Sequence, residues 1–306
     1  MMIDINELAE VKGIGQKTLQ RVREHINYKD ELKQDRNVNL QVDELETNVI
    51  HNTDNIKGIR QLIPDNSIDL TVTSPPYDDL RDYEDYDFNF EAVARELYRV
   101  TKDGGVVVWV VGDETKEFCE SLSSFKQALY FVEEIGFKLL DTMIYKKKSY
   151  PPAYPYLRRY ANTFEYMFVL IKGKKPKTFN ELRTKKAKSS IGNGRTASFR
   201  QKDGSLLTKE YDDSKKTKAK TNVWEYLVGN HSNKEDELKF NHPATFPNEL
   251  AEDHIKSWSD EGDVVLDPFI GSGTTAKIAK KLNREYIGFE ISKKYCEIAR
   301  QRIDKV

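Results

Sequence analysis

The segment that most constrains the fold lies near the C-terminus, where an apolar run leads into closely spaced glycines. Residues 264–266 form a strand-like run, residues 271–275 are Gly-Ser-Gly-Thr-Thr, and a helix is predicted from about Ala276. Glycines after a strand let a ligand approach the backbone, and the first turn of a helix offers free amides. A second strand, residues 286–289, ends in Glu290, whose carboxylate can accept hydrogen bonds from ribose hydroxyls. No Gly-Lys-Ser/Thr follows the glycines, so a Walker phosphate loop is disfavoured.

The pattern of apolar runs predicts an α/β fold from about Asn48 onward. Strands alternating with helices favour a doubly wound, mostly parallel sheet. An Asp-Gly-Gly turn is predicted at residues 103–105. Strands are predicted at residues 68–72, 106–111, 139–145 and 164–171, and helices at residues 90–100 and 124–135. The pattern of residues 243–306 predicts, in order, a helix, a strand, a loop, a helix, a strand and a helix.

A second motif, Ser74-Pro75-Pro76-Tyr77, follows the first strand-like run. The Ser74 hydroxyl and the Pro75 carbonyl can accept hydrogen bonds, and the prolines remove backbone donors and fix a bend. Tyr77 offers a flat aromatic face on which a planar group can stack. Taken alone, the tetrapeptide is an ordinary turn, and it gains its weight from the glycine segment near the other end of the chain.

Together, the tetrapeptide and the string Asp267-Pro268-Phe269-Ile270-Gly271-Ser272-Gly273-Thr274-Thr275 resemble the two signature motifs of the amino-methylating DNA methyltransferases. Their order, catalytic motif first, resembles the circularly permuted beta class over about residues 48–306. The resemblance implies a class I methyltransferase fold with a seven-stranded, doubly wound, mostly parallel sheet whose last strand is antiparallel. It also implies S-adenosylmethionine as the cofactor. Members that act on adenine usually carry Asp at the position of Ser74, so Ser74 favours cytosine N4, while adenine N6 stays open.

The resemblance implies roles for individual residues. Asp267 and Gly271 would contact the methionine end of the cofactor, Phe269 would lie beside it, and Glu290 would hold the ribose. Residues 242–247 resemble the segment placed beside the methionine moiety, and Asp54 matches more loosely a position that reaches the adenine. The predicted catalytic residues are Ser74, Pro75, Pro76 and Tyr77, and the predicted cofactor-binding residues are Asp54, Thr73, His242, Pro243, Phe246, Pro247, Asp267, Pro268, Phe269, Gly271, Ser272, Gly273, Thr274 and Glu290.

Charge is distributed unevenly along the chain. The net charge is −1, but residues 172–220 contain 16 Lys+Arg against 5 Asp+Glu. A basic segment on an acidic body suggests a polyanion partner, and a solvated charge run is the alternative. By the resemblance, residues 172–240 lie where this class inserts its target recognition region, and residues 143–170 resemble the strand and loop beside the flipped base. The predicted DNA-binding residues of these segments are Lys147, Arg159, Tyr160, Lys185, Lys186 and Arg195.

Residues 1–28 lie outside the part that resembles the family. Their apolar residues are spaced for two short helices broken at Gly13-Ile14-Gly15, and the segment resembles a helix-hairpin-helix. In such a unit the amides that open the second helix face a phosphate. Packing of these apolar residues on the main domain or on a second subunit is the alternative. The predicted DNA-binding residues there are Lys12, Gly13, Gly15 and Lys17.

These observations predict five regions: a hairpin (1–28), a linker (29–47), a catalytic half (48–171), a recognition region (172–240) and a cofactor-binding half (241–306). The expected function is transfer of a methyl group from S-adenosylmethionine to cytosine N4 of double-stranded DNA, in a restriction-modification system. Adenine N6 methylation, a catalytically idle DNA-binding protein on this scaffold, and an RNA substrate are the alternatives. A cognate restriction endonuclease is left open as a partner, as is the choice between monomer and homodimer.

Several other classes are disfavoured by the composition. No apolar stretch approaches the roughly 18 residues that span a bilayer, and the N-terminus lacks a signal-peptide pattern. The two cysteines, Cys119 and Cys296, give no disulfide framework, and neither lies in the Pro-Cys context expected for cytosine C5 methylation. A cytoplasmic protein without a metal site is expected.

Overall fold

The computed structural model describes residues 44–76, 88–149, 158, 160–185, 196–210, 216–227 and 247–306. Among the helices in these ranges, none is long and apolar enough to cross a membrane. The helices are α1 (Asn55–Leu62), α2 (Phe90–Val100), α3 (Ser123–Tyr130), which continues as a π-helical turn (Phe131–Ile135), α4 (Asn248–Trp258), α5 (Thr274–Lys281) and α6 (Lys293–Ile303). The strands are β1 (Val49–Asn52), β2 (Ile68–Thr73), β3 (Thr101–Val111), β4 (Thr115–Lys116), β5 (Cys119–Glu120), β6 (Lys138–Lys147), β7 (Phe164–Ile171), β8 (Arg183–Lys185), β9 (Thr196–Arg200), β10 (Leu206–Glu210), β11 (Thr217–Ala219), β12 (Val223–Tyr226), β13 (Val264–Asp267) and β14 (Glu285–Glu290).

One large sheet organises the described part of the chain, with eight strands in the order β1-β14-β13-β2-β3-β7-β6-β12. All neighbours are parallel except β7, which is antiparallel to both β3 and β6. The predicted doubly wound, mostly parallel fold is therefore confirmed. The expectation that the last strand is antiparallel is wrong for this chain order, because β13 and β14 are each reached through a crossover helix, which restores the parallel direction.

The sheet has one strand more than the seven expected. The additional strand is β12, which pairs with β6 at the sheet edge. Its side chains alternate, because Trp224 and Tyr226 are buried while Val223 is exposed. This period of two is the pattern of a strand with one covered face. A run of only four residues at the end of a basic segment gives a weak signal in the sequence.

The predicted turn at residues 103–105 lies inside β3 rather than before it. The pairing of β2 with β3 shifts register between Ile68 and Leu70, which pair with Thr101 and Val106. The extra residues form a bulge in which Gly104 has a φ of 80°. The Gly104 amide donates to the Lys172 carbonyl and the Gly104 carbonyl accepts from the Lys177 amide. Other bounds, including those of α2 and β7, agree with the predicted ones.

In the described part of residues 44–306, helices cover both faces of the sheet and form three layers with it. Along β3, Val106, Val108 and Val110 face one cluster of buried residues, which includes residues of α4, α5 and α6. Val107, Trp109 and Val111 face a second cluster, which includes residues of α1 and α2. Because both faces of β3 are covered, its sequence is a continuous apolar run rather than an alternating one.

Three lysines of the basic segment bind the body of the protein. The Lys172 ammonium donates to the carbonyls of Tyr98 and Thr101. Lys177 forms ion pairs with Asp69 and Asp263, and Lys220 forms one with Asp253. By contrast, within the described part of the chain β9 and β10 pair only with each other, and the side chains of β10 are all exposed. The basic segment is therefore divided between residues that hold it on the sheet and residues that face solvent.

Asp69, near the start of β2, links three parts of the chain. Its carboxylate accepts hydrogen bonds from the Lys102 ammonium at 2.7 Å, the Lys177 ammonium at 2.9 Å and the Val264 amide at 3.0 Å. Burial alone would raise the pKa of Asp69, but these hydrogen bonds outweigh it and hold the pKa below its usual value. A group whose pKa is lowered by folding stabilises the protein above its unfolded pKa and loses that effect below it.

We expect Asp69→Asn to lower the free energy of unfolding at pH 7 by about 2 kcal/mol, since charge-assisted hydrogen bonds are lost. The difference from wild type should persist down to about pH 4 and shrink below it, as the wild-type carboxylate is protonated. Denaturation in a pH series measures both quantities. A difference that stays constant down to about pH 2.5 would contradict the role given to the charge.

Candidate active site

The two sequence motifs lie at the same end of the sheet, where the carboxyl ends of the parallel strands meet; this end is called the carboxyl edge. Strands β2 and β13 are parallel neighbours, with Val265 paired to Leu70 and Leu266 to Thr71. Their carboxyl ends therefore lie side by side, and residues 74–76 follow β2 where the glycine segment follows β13. Ser74 is half-buried and Pro75 is buried. In open α/β sheets, ligands bind outside the carboxyl ends of the strands, so this edge is the candidate active site.

The Asp267 carboxyl group joins the two motifs. The Thr73 hydroxyl donates to Asp267 Oδ1 at 2.6 Å, and the Phe269 amide donates to the same oxygen at 3.0 Å. Thr275 Oγ1 lies 2.8 Å from Asp267 Oδ2 and 3.1 Å from the Val72 carbonyl oxygen. The Asp267 side chain is almost fully buried. Its observed contacts thus hold the end of β2 against the start of the glycine loop.

Burial raises the pKa of Asp267 to about 6, although the bonds from Thr73, Thr275 and the Phe269 amide oppose the shift. The geometry suits the protonated form. A single hydroxyl hydrogen on Thr275 faces two acceptors, Asp267 Oδ2 and the Val72 carbonyl. When Asp267 carries a proton, it donates to Thr275 Oγ1, and Thr275 donates to Val72, so both acceptors are satisfied.

The glycine loop is held by the acid at the end of the neighbouring strand. Gly271 and Gly273 have φ angles of 50° and 83°, a region that favours glycine. The Gly271 amide donates to Glu290 Oε2 at 3.1 Å, and the Ser292 amide donates to Oε1 at 2.8 Å. Burial raises the pKa of Glu290, and the two amide hydrogen bonds oppose that shift. Each carboxylate oxygen keeps a lone pair for a further donor, such as a ribose hydroxyl.

Two predicted cofactor residues, Ser272 and Thr274, are buried and bound to Arg302 of α6. The Arg302 guanidinium donates to Ser272 Oγ at 2.8 Å and to Thr274 Oγ1 at 3.3 Å. Arg302 is not among the residues predicted from the sequence. A signal was present, because Arg302 occupies the apolar stripe of α6 with Ala299 and Ile303, where a charged residue needs a partner.

Other predicted cofactor residues have identifiable contacts within the protein. The Pro268 carbonyl accepts from the Asn55 side chain at 3.2 Å. Phe269 packs against Phe88 and Trp109, with ring centroids 5.3 and 6.3 Å away. These contacts pack the start of the loop against the buried residues on the side of the sheet that α1 and α2 cover.

Two residues at helix starts were also predicted to bind the cofactor. The Asp54 carboxylate accepts from the Lys57 amide at 2.9 Å and so caps α1. Pro247 immediately precedes α4. A residue that the sequence analysis missed is Ile291, a large apolar side chain that is 47% exposed beside Glu290.

The predicted DNA contacts differ in their surroundings. Tyr160 is fully exposed, and Lys185 is exposed on β8. The Lys147 ammonium forms an ion pair with Glu165 at 2.7 Å. The remaining residues predicted to bind DNA lie outside the described residues, as do one predicted catalytic residue and three predicted cofactor-binding residues. The DNA-binding residues are Lys12, Gly13, Gly15, Lys17, Arg159, Lys186 and Arg195, the catalytic residue is Tyr77, and the cofactor-binding residues are His242, Pro243 and Phe246.

Comparison with known proteins identifies the family. A family model described as DNA methylase matches residues 68–301. This chain belongs to that family. It is 53% identical over 247 residues to the orphan methyltransferase M.BamHII of Bacillus amyloliquefaciens, a match that covers 80% of this chain and 92% of the relative. The resemblance to the beta-class amino-methylating DNA methyltransferases is thereby confirmed.

Solved structures agree with the fold. The PvuII DNA methyltransferase (cytosine-N4-specific) superposes with a TM-score of 0.61 at 19% identity, covering 84% of this chain and 86% of that one. A DNA modification methylase of Thermus thermophilus, complexed with S-adenosylmethionine, gives a TM-score of 0.55 at 25% identity, covering 84% and 93%. The predicted cofactor, S-adenosylmethionine, is the cofactor of this family.

The residues at the carboxyl edge fit this cofactor chemically. Glu290 keeps acceptor capacity for hydroxyls. Ile291 offers an exposed apolar surface beside it. Gly271, which has no side chain, brings backbone to the same edge.

The raised pKa of Asp267 gives a prediction about Asp267→Asn. Ionisation of the buried carboxyl is unfavourable, so the stability that Asp267 contributes below about pH 3.8 is lost as the pH rises through about 6. An asparagine reproduces the protonated form, with an oxygen for Thr73 and an NH₂ for Thr275. Relative to wild type, Asp267→Asn should gain stability between about pH 4 and 7, by about 1.4 kcal/mol for each unit of pKa shift.

Thermal denaturation across this pH range measures the difference. Asp267→Ala is the control, because it leaves the Thr73 hydroxyl and the Phe269 amide without their acceptor and should be less stable than Asp267→Asn at every pH. A stability difference between Asp267→Asn and wild type that does not change with pH would show that Asp267 does not titrate in this range.

Proposed function

We propose that this DNA amino-methyltransferase acts on the N4 amine of a cytosine extruded from double-stranded DNA. The observation that carries the proposal is the position of Ser74. It heads the tetrapeptide at the carboxyl end of β2, and the preceding Thr73 is bonded to Asp267, where the glycine loop begins. Ser74 therefore follows β2 at the same end of the sheet at which the glycine loop follows β13, and this supports the assignment.

The chemistry explains why acceptors are needed there. The lone pair of an exocyclic amine is delocalised into the ring, so the nitrogen is a weak nucleophile. The Ser74 hydroxyl and the Pro75 carbonyl accept hydrogen bonds from the amine and favour its tetrahedral form. When bound, S-adenosylmethionine supplies an electrophilic methyl group on sulfur. Ser74 and Pro75 would hold the amine in place while its nitrogen gains the methyl group and one amine proton is lost to solvent.

We assign the cofactor to the edge formed by β13, β14 and β1. Glu290 would accept the ribose hydroxyls, and Ile291 would pack on the adenine. The backbone at Gly271 would contact the methionine end. Asp267 would act by holding the loop rather than by direct contact, because its oxygens already face Thr73, Thr275 and the Phe269 amide.

The choice of base rests on Ser74. The PvuII enzyme is named as cytosine-N4-specific, but at 19% identity that likeness supports the fold alone. Mapping N4-methylcytosine and N6-methyladenine in DNA from cells that express this chain tests the choice directly. Detection of N6-methyladenine but not of N4-methylcytosine would show that the target base is adenine rather than cytosine. The restriction-modification context is supported by similarity to the Type II methyltransferase M.BglII of Bacillus subtilis, which is 30% identical over 268 residues. The phosphate-binding role of residues 1–28 stays a prediction.

We expect Ser74→Ala to bind cofactor and DNA about as well as wild type and to methylate about 10²–10³-fold more slowly, the usual effect of removing one preorganised hydrogen-bonding group. Ser67→Ala is the matched control. Ser67 precedes β2 at the opposite edge of the sheet, where its hydroxyl donates to the Pro64 carbonyl. Single-turnover methylation measures both variants, and near-normal turnover in Ser74→Ala would refute the role.

The exposed part of the basic segment is the proposed DNA surface. Lys185, Lys202, Lys209 and Lys218 are exposed, whereas Lys172 and Lys220 bind carbonyl and carboxylate oxygens of the body. Phosphate contacts dominate affinity for DNA and make it salt-dependent. The two groups of lysines should therefore behave differently although they lie in one stretch of sequence.

We expect replacement of the four exposed lysines by Gln to weaken DNA binding and to flatten the slope of log K against log salt by about 0.9 for each phosphate that is no longer neutralised. Lys172→Gln and Lys220→Gln, made singly, should lower the melting temperature and leave the slope unchanged. Binding titrations at several salt concentrations give the slopes. Equal slopes for wild type and the fourfold variant would mean that the exposed lysines are only solvated.

A further inference from the structure

The last helix, α6, contacts the glycine loop at two positions one turn apart. Arg302 is 1% exposed, and its guanidinium donates to the Ser272 carbonyl as well as to the hydroxyls of Ser272 and Thr274. One turn earlier, Ala299 packs on Gly273, where an added Cβ would lie 2.8 Å from the Ala299 Cβ. The loop therefore rests on α6 through a steric contact and a set of hydrogen bonds.

The hydrogen bonds of Arg302 constrain the shape of the loop. A buried guanidinium needs acceptors, since an unsatisfied buried charge is strongly unfavourable. Here the loop itself supplies three of them. The bond to the Ser272 carbonyl fixes the peptide between Ser272 and Gly273, and the φ angles on either side, 50° at Gly271 and 83° at Gly273, lie in the left-handed region. All three bonds come from Nη1, so the position of this one nitrogen is tied to the turn.

We propose that Arg302 is a positioning residue of the cofactor site. It holds residues 271–274 in the conformation that binds S-adenosylmethionine, and the hydroxyls of Ser272 and Thr274 act through Arg302 rather than on the cofactor. The inference rests on the assignment of this loop to S-adenosylmethionine. It adds a residue from the last helix, on the face of the loop that packs against the protein.

The first test is calorimetric titration of S-adenosylmethionine into Arg302→Lys well below its melting temperature. A lysine keeps the charge, but its nitrogen lies one bond closer to the backbone than Nη1, the nitrogen through which Arg302 reaches all three acceptors. We expect the Kd to rise about tenfold or more, the effect of losing one charge-assisted hydrogen bond. The rise in melting temperature on adding S-adenosylmethionine should shrink accordingly.

Arg284→Lys is the matched control. Arg284 also donates to backbone carbonyls, those of Leu282 and Ser259, but it does so at the opposite edge of the same strands. It should lower the melting temperature and leave the Kd for S-adenosylmethionine unchanged. An equal loss of affinity in Arg284→Lys would mean that destabilisation alone weakens binding, and the proposal would fail.

A double-mutant cycle tests whether Ser272 acts through Arg302. If the hydroxyl serves only to hold the guanidinium, the effects of Ser272→Ala and Arg302→Lys on the Kd should be smaller together than their sum. Additive effects would indicate that Ser272 contacts the cofactor directly and would overturn that part of the proposal.

A further variant, Gly271→Val, shows whether a negative result concerns the role of Arg302 or the assignment of the loop to the cofactor. Gly271→Val should block binding if the loop is the cofactor site, so unchanged affinity there would refute the assignment of the loop itself. Normal affinity in Arg302→Lys together with loss in Gly271→Val would refute only the role of Arg302. If Arg302→Lys does not fold, Arg302→Gln, which removes the buried charge, is titrated in its place. If neither variant folds, Arg302 is a residue of the core and the proposal is wrong.

Discussion

The site depends on the buried junction between Thr73 and Asp267. These residues are 194 positions apart in the chain and 2.6 Å apart in space. Their bond joins the strand that carries the tetrapeptide to the strand that carries the glycine loop, and Thr275 ties the start of α5 to the same carboxyl group. Because the junction is almost fully buried, each of its hydrogen bonds is strengthened by the low dielectric. The relative position of the two motifs is thus fixed by buried contacts and not by residues on the surface of the candidate active site.

The junction also shows what could be predicted from the sequence. The two motifs, the helix Phe90–Val100 and the strand Phe164–Ile171 follow from local patterns of apolar residues and glycines, and the structure has the helix and the strand with those bounds. The sequence could not show that the Asp267 carboxyl faces inward, because that depends on a threonine from another strand. The position of Arg302 in the apolar stripe of α6 indicates that it needs a partner, but the sequence does not show that its acceptors lie in the glycine loop. The spacing of residues along the chain predicts which face of a helix or strand is buried. The hydrogen-bond partners of a side chain that lie far away in the sequence are known only from the tertiary structure.

The basic segment gives a second instance of this limit. Counting charge over residues 172–220 treats all lysines alike, but folding divides them. Lys177 pairs with two carboxylates of the body, and Lys172 binds carbonyls at the end of α2 and the start of β3. These lysines hold the start of the segment on the catalytic body, and Lys220 holds its end. The strands β8, β9, β10 and β11 lie between these anchored lysines in the chain.

The glycine loop lies between opposite charges. Glu290 accepts from the amide of Gly271 on one side, and Arg302 donates to the carbonyl of Ser272 on the other. A carboxylate accepts from a peptide N–H and a guanidinium donates to a peptide C=O, so each charge fixes the orientation of a different peptide plane. The peptide between Gly271 and Ser272 is flanked by both. A loop that contains two glycines would otherwise have wide conformational freedom, and ordering it on binding would reduce affinity. Holding it from both sides leaves a preorganised backbone at the edge where the strands β13 and β14 end.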